Sequence, residues 1–120
     1  MKAGHTGVKR LIYATLFSWR GIKAGALHEA AIRQELLFLA ATVVGCLYFD
    51  LGLVKALALI AAVLLVIAVE LLNTAVETVV DLVSPEHHPL AGRAKDMGSA
   101  AVLCALIIAG MVFGTVLLWM

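Results

Sequence analysis

Glu70, Glu77 and Asp81 stand seven and four residues apart, and at 100° per residue the three carboxylates fall within about 20° of one helix direction. Asn73 lies only about 60° from that stripe, so one helix would carry a continuous acidic and amide face. The residues around it are apolar: Ala56 to Val69 is an uncharged run. Ionisable groups beside such a run are costly and face a bundle interior or a water-filled site. Two uses of the stripe follow. The acids either pair with Arg or Lys to lock helices together, or they do chemistry. Depth favours the second use. If the helix starts near Leu53, the ~20 residues needed to cross the hydrocarbon end close to Leu72, which puts Glu70 at the membrane boundary, level with a lipid headgroup hydroxyl. A partly desolvated carboxylate there suits a general base. Glu77 sits about 10 Å further along, too far to share one metal ion with Glu70, and suits a hard cation.

Two further segments concentrate polar groups. His28-Glu29-Ala30-Ala31-Ile32-Arg33-Gln34-Glu35 places Glu29 and Arg33 at i,i+4, which reads either as a surface ion pair or, with Glu77, as a pair of carboxylates for Mg²⁺. Ser84 to Asp96 reads as a short polar loop, Ser84-Pro85-Glu86-His87-His88-Pro89-Leu90-Ala91-Gly92-Arg93-Ala94-Lys95-Asp96. There Arg93 and Lys95 suit phosphate oxygens, as fork and point charge, and the histidines suit a base or ribose. Zinc on His87 and His88 lacks a supporting cysteine or further close-spaced histidine, which leaves solvated loop histidines as the other reading. No GxxxxGK[ST] or GxGxxG occurs, so any ATP is handled without a P-loop or a kinase-type glycine loop. Cys46 and Cys104 fall inside apolar runs and read as small membrane-embedded hydrophobes.

The elements that must position these groups follow from composition. The 120 residues are 63% hydrophobic and only 14% charged, with mean hydropathy +1.05, which excludes an ordinary soluble domain. An all-α membrane protein with three spans is predicted, at about 30–50, 53–83 and 96–119, as a single domain over 1–120. Residues 8 to 27 mix Leu11, Ile12, Phe17 and Trp19 with Lys9, Arg10, Arg20 and Lys23, the chemistry of an amphipathic helix at the headgroup level. Of nine Lys and Arg, eight lie in the N-terminal segment or in 84–96 (Lys2, Lys9, Arg10, Arg20, Lys23, Arg33, Arg93, Lys95), and only Lys55 lies in the opposite turn. The positive-inside rule then makes the N-terminus cytoplasmic and the C-terminus external. The charged start is too long and polar for a signal peptide, which predicts retention in the inner membrane. All the concentrated polarity lies on the side where ATP is found.

Three segments, Glu29-Ala30-Ala31-Ile32-Arg33-Gln34-Glu35, Val69-Glu70-Leu71-Leu72-Asn73-Thr74-Ala75-Val76-Glu77-Thr78-Val79-Val80-Asp81 and Gly92-Arg93-Ala94-Lys95-Asp96-Met97-Gly98-Ser99-Ala100-Ala101, together resemble the small prokaryotic diacylglycerol kinase family over nearly the whole chain. The resemblance implies a homotrimer of three-span subunits with a surface helix, sites at subunit interfaces, and Mg-ATP as phosphate donor. It implies Glu70 as the catalytic base and Glu29 with Glu77 as the metal-binding acids. Nucleotide contacts are implied for Arg10, Glu29, Glu77, Glu86, His87, His88, Lys95 and Asp96. Lipid contacts are implied for Ser18, Trp19, Arg33, Glu35, Glu70, Asn73 and Ser99. Phe17 departs from the pattern, standing where the family has a nucleotide-contacting tyrosine; stacking survives that change and a hydroxyl hydrogen bond does not. His87 stands where an aromatic residue is more usual.

A related branch that phosphorylates undecaprenol shares the Glu-Leu-Leu-Asn-Thr-Ala core, and the first and third segments with the long surface helix look more like the diacylglycerol branch. No nucleic-acid partner is expected. A rival from another class is a non-catalytic assembly or transport module, with the acids as an ion path. An ion path needs polar groups right across the bilayer, and Ala56 to Val69 has none. Three thin helices can hardly enclose a nucleotide alone, so self-association is expected on size as well.

Overall fold

The computed structural model describes residues 6–119; Lys2 and Met120 lie outside them. Four helices make up the described chain, α1 (Gly7–His28), α2 (Ala30–Tyr48), α3 (Leu53–Val83) and α4 (Pro89–Leu118), with no strand among the described residues. Helices α2, α3 and α4 are each long and apolar enough to cross a membrane, so the chain fits a multi-pass membrane protein. At 1.5 Å per residue α2 is about 28 Å long and just crosses the hydrocarbon, whereas α3 reaches about 46 Å and must project beyond it. The projecting end carries Glu77 and Asp81.

Each break between helices has a local cause. Glu29 adopts an extended backbone (φ −126°, ψ 118°) between α1 and α2, and Arg33 stabilises the break. Its Nη1 donates to the carbonyls of Ala26 at 2.8 Å and Leu27 at 3.4 Å, satisfying acceptors that the last turn of α1 leaves open. The Arg33 guanidinium is therefore a cap on α1, and among the described residues it makes no ion pair with Glu29. Between α2 and α3 the chain turns at Asp50 and Gly52, both with positive φ (50° and 87°), and glycine takes that backbone without strain. Pro85 stops α3. Helix α4 begins at Pro89, earlier than the polar composition of 84–96 suggests, because proline fits the first helical position. His88 caps it, Nδ1 accepting from Leu90 N–H at 3.0 Å.

Helix α3 is the centre of the bundle, packing most extensively on α4 and next on α2. Its buried side is Leu59, Ala62, Val63, Val66 and Ile67, and Cys46, Leu59 and Val116 close the end at the α2–α3 turn. Cys46 and Cys104 are both free. Apolar surface elsewhere on the spans is exposed in the protomer, as expected where lipid or further copies are the solvent.

Helix α1 meets the bundle through its C-terminal end. Gly25 is its buried residue, and a Cβ there would come within 2.8 Å of both Ile32 Cδ1 and Leu71 Cδ2. The rest of α1 exposes Val8, Leu11, Ile12, Leu16 and Trp19, which share one face by helical spacing. The other face carries Arg10, Tyr13, Phe17 and Arg20. Tyr13 stacks on Phe17 (6.3 Å between centroids), and the Arg20 guanidinium lies 5.6 Å from the Phe17 ring.

Candidate functional site

The acidic face of α3 points into its contacts with α2 and α4. The carboxyl groups of Glu70 on α3 and Glu35 on α2 face one another closely enough to repel as like charges. Glu35 Oε1 is buried and without a partner among the described residues, which leaves an acceptor for a visiting hydroxyl. Both residues are half-buried.

One turn further along α3, Asn73 Nδ2 donates to Glu77 Oε1 at 3.0 Å. Asn73 Oδ1 is buried, unpartnered, and pressed against Gly98 of α4, where any Cβ would overlap it. Position 98 thus has no room for a side chain while Asn73 keeps this conformation. Beyond Glu77, Asp81 Oδ1 receives Lys95 Nζ at 2.6 Å, the one ion pair among the described residues, and Glu77 adds its own attraction for the same ammonium. A polar seam thus runs along α3 and α4 from Glu70 through Asn73 and Glu77 to Lys95 and Asp81.

Glu29 lies elsewhere, in a groove of about 780 Å³ between α1 and α3 that it lines with Ser18, Gly25, His28, Thr74 and Thr78. Thr74 and Glu77 are three residues apart and so neighbours on the surface of α3. Among the described residues no three His, Cys, Asp or Glu cluster as metal ligands. Carboxylates are the kind of donor that suits Mg²⁺, which keeps several waters and takes the rest of its oxygens from phosphate, but Glu77 is not among the residues that line the groove of Glu29. Glu77 presents one oxygen to Asn73 and has the other available for such a cation.

The other expected nucleotide residues are spread over α1 and the end of the bundle that carries the α3–α4 connection. His87 and Asp96 line a shallow groove with Arg93 and Met97 on the outer face of α4, while Lys95, the preceding residue, is turned about 100° away toward α3. His88 lines a different groove, with Val79, Val83 and Ala91. Glu86 is exposed, its carbonyl accepting from Ser84 Oγ at 2.9 Å. Arg10 is exposed on α1. Of the expected lipid residues, Ser18 faces the α1–α3 groove with its hydroxyl bonded to Ala14 O at 2.8 Å. Trp19 is exposed on the apolar face of α1 and Ser99 on α4. One protomer brings together the residues of the seam and leaves the remainder on separate faces.

Sequence reasoning passed over Gly98 and Gly25, and it offered pairing of the stripe acids with Arg or Lys without naming Lys95 as the partner of Asp81. The only signal for Gly98 was its place at the depth of Asn73 on an antiparallel neighbour. The Gly110 and Gly114 pair, which has the spacing of a packing motif, has open space above both glycines in the protomer.

The prokaryotic diacylglycerol kinase family matches residues 16–117. The chain is 48% identical over 115 residues to the diacylglycerol kinase of Escherichia coli (strain K12), covering 95% of this chain and 93% of that one. It is 48% identical over 114 residues to that of Haemophilus influenzae, covering 93% and 95%. It is 43% identical over 115 residues to that of Pseudomonas aeruginosa, covering 96% and 94%.

Proposed function

The chain belongs to the prokaryotic diacylglycerol kinase family, and from that premise we propose that it transfers the γ-phosphate of ATP to the primary hydroxyl of diacylglycerol, giving phosphatidic acid and ADP, at the cytoplasmic face of the inner membrane. The observation that carries this reading is the polar seam itself: a boundary carboxylate, Glu70, in line on α3 with a second acid, Glu77, that an amide holds in place.

Glu70 accepts the hydroxyl proton as the lipid oxygen bonds to the γ-phosphorus and the bond from that phosphorus to the β,γ-bridging oxygen breaks. Glu35, the neighbouring acid on α2, orients the Glu70 carboxyl. Asn73 fixes Glu77. Lys95 meets phosphate oxygens with the ammonium protons that Asp81 does not use. Glu29 and Glu77 are the acids that would hold Mg²⁺, which when bound offsets charge on the phosphate oxygens. Much of the rate comes from positioning and electrostatics at a partly dry interface, not from a covalent enzyme intermediate.

The working unit is a homotrimer. Glu70 and Glu77 are half-exposed in the protomer, and an ionisable group at membrane depth needs cover from another helix. The orientation follows from the charge distribution, with α1 lying along the cytoplasmic surface.

Transfer of labelled γ-phosphate from Mg-ATP in mixed micelles, with diacylglycerol and undecaprenol offered side by side, tests the reading. Labelled phosphatidic acid is expected. Label mainly on undecaprenol keeps the mechanism and changes the substrate. No label on either lipid, from a folded oligomeric sample, returns the chain to a non-catalytic assembly role.

A further inference from the structure

Lys95 and Asp81 are both substantially exposed, with 42% and 64% of their side-chain surfaces accessible. Ion pairs in such settings contribute little to folding, because water competes and two flexible side chains must be ordered. Yet this pair is short, 2.6 Å, and joins α3 to α4 at the cytoplasmic end of the seam. Asp81 lies one turn beyond Glu77 on the same helix face, and Glu77 also attracts the ammonium. A lysine head on four methylenes can sweep a wide arc, and an ammonium has three donors. The contact with Asp81 uses one and removes most of the arc.

We propose that Asp81 is a positioning residue: it holds the Lys95 ammonium on the α3–α4 seam beside Glu77, so that an incoming nucleotide phosphate meets a preset cation. Asp81 touches neither phosphate nor lipid, and acts through Lys95. The inference rests on the reading of Lys95 and Glu77 as nucleotide-binding groups. Its energetic logic is pre-organisation, since ordering the side chain before binding lowers the entropy lost on binding.

The test uses the full chain in detergent and two readouts: equilibrium binding of a non-hydrolysable Mg-ATP analogue, and the KM values for Mg-ATP and diacylglycerol. Asp81→Asn is expected to weaken analogue binding and raise the Mg-ATP KM by roughly three- to fivefold, the size of one exposed charge pair. The diacylglycerol KM and kcat stay near their original values, and Asp81→Glu recovers part of the loss. In a Lys95→Gln background, Asp81→Asn adds nothing further. Three results would overturn the proposal: unchanged binding in Asp81→Asn, tighter binding, which makes Asp81 a competitor of phosphate, or an equal loss with Lys95 absent, which makes its role structural. The unaltered chain separates this from the wider reading. If it phosphorylates lipid while Asp81→Asn behaves as the unaltered chain, only the positioning role falls; if it neither binds the analogue nor turns over, both fall together.

Discussion

Asn73 donates one hydrogen bond to Glu77 at 3.0 Å while its own Oδ1 lies buried and unpartnered against Gly98. The amide is held by shape on one side and by a carboxylate on the other. A buried acceptor without a partner is destabilising, so the arrangement persists because the close α3–α4 contact fixes the amide plane. Gly98→Ala should break it. The new Cβ would overlap Asn73 Oδ1, and overpacking of that kind costs about 1–3 kcal/mol. A Gly→Ala change inside a helix would otherwise stabilise by up to about 1 kcal/mol. The expected outcome is a lower melting temperature together with a higher Mg²⁺ requirement for turnover. A rise in melting temperature with unchanged Mg²⁺ dependence would show that Asn73 has room to move.

Glu70 and Glu77 should fail in different ways. Glu70→Gln keeps the size and the hydrogen-bonding capacity toward Glu35 but cannot take a proton. Phosphate transfer should fall by about 10²-fold or more, the usual scale of a general-base contribution, with the same mass by light scattering as the unaltered chain. Near-normal turnover in that variant would remove the base assignment. Glu77→Gln should first shift the Mg²⁺ titration to higher concentration. An unchanged titration would count against Glu77 as a metal acid.

His88 carries one observed contact and one proposed role. Its Nδ1 caps α4, and the proposed function adds a nucleotide contact, which would fall to Nε2. His88→Ala removes both, while His88→Asn restores an N-cap acceptor without the imidazole. Asn should recover the melting temperature lost in Ala, where loss of a cap costs about 1 kcal/mol, but not the Mg-ATP KM. Equal KM values for Asn and the unaltered chain would reduce His88 to a cap.

Gly25 seats α1. Because the neighbours of a Cβ there are the flexible ends of Ile32 and Leu71, Gly25→Ala should be tolerated by a small shift and Gly25→Val should not. The expected readout is faster proteolysis within 7–28 in the Val variant, with α2 to α4 still protected. Equal protection in both variants would mean that α1 is held elsewhere along its length.

The sequence by itself determined the membrane character and the helices, because hydrocarbon thickness and backbone hydrogen bonding leave a long apolar run few other forms. It also determined which face of α3 is polar, since helical period alone puts Glu70, Asn73, Glu77 and Asp81 within one sector. Family membership was legible from three separated segments. The tertiary structure decided which partner each polar group meets. Arg33 caps α1 where spacing offered Glu29 as a partner, and Lys95 reaches Asp81 on another helix. The Asn73 amide is fixed by a glycine twenty-five residues away in sequence. The physical reason is that periodicity sets the direction a side chain leaves its own helix, while its partner depends on the register and approach of a second helix, which packing between distant segments fixes.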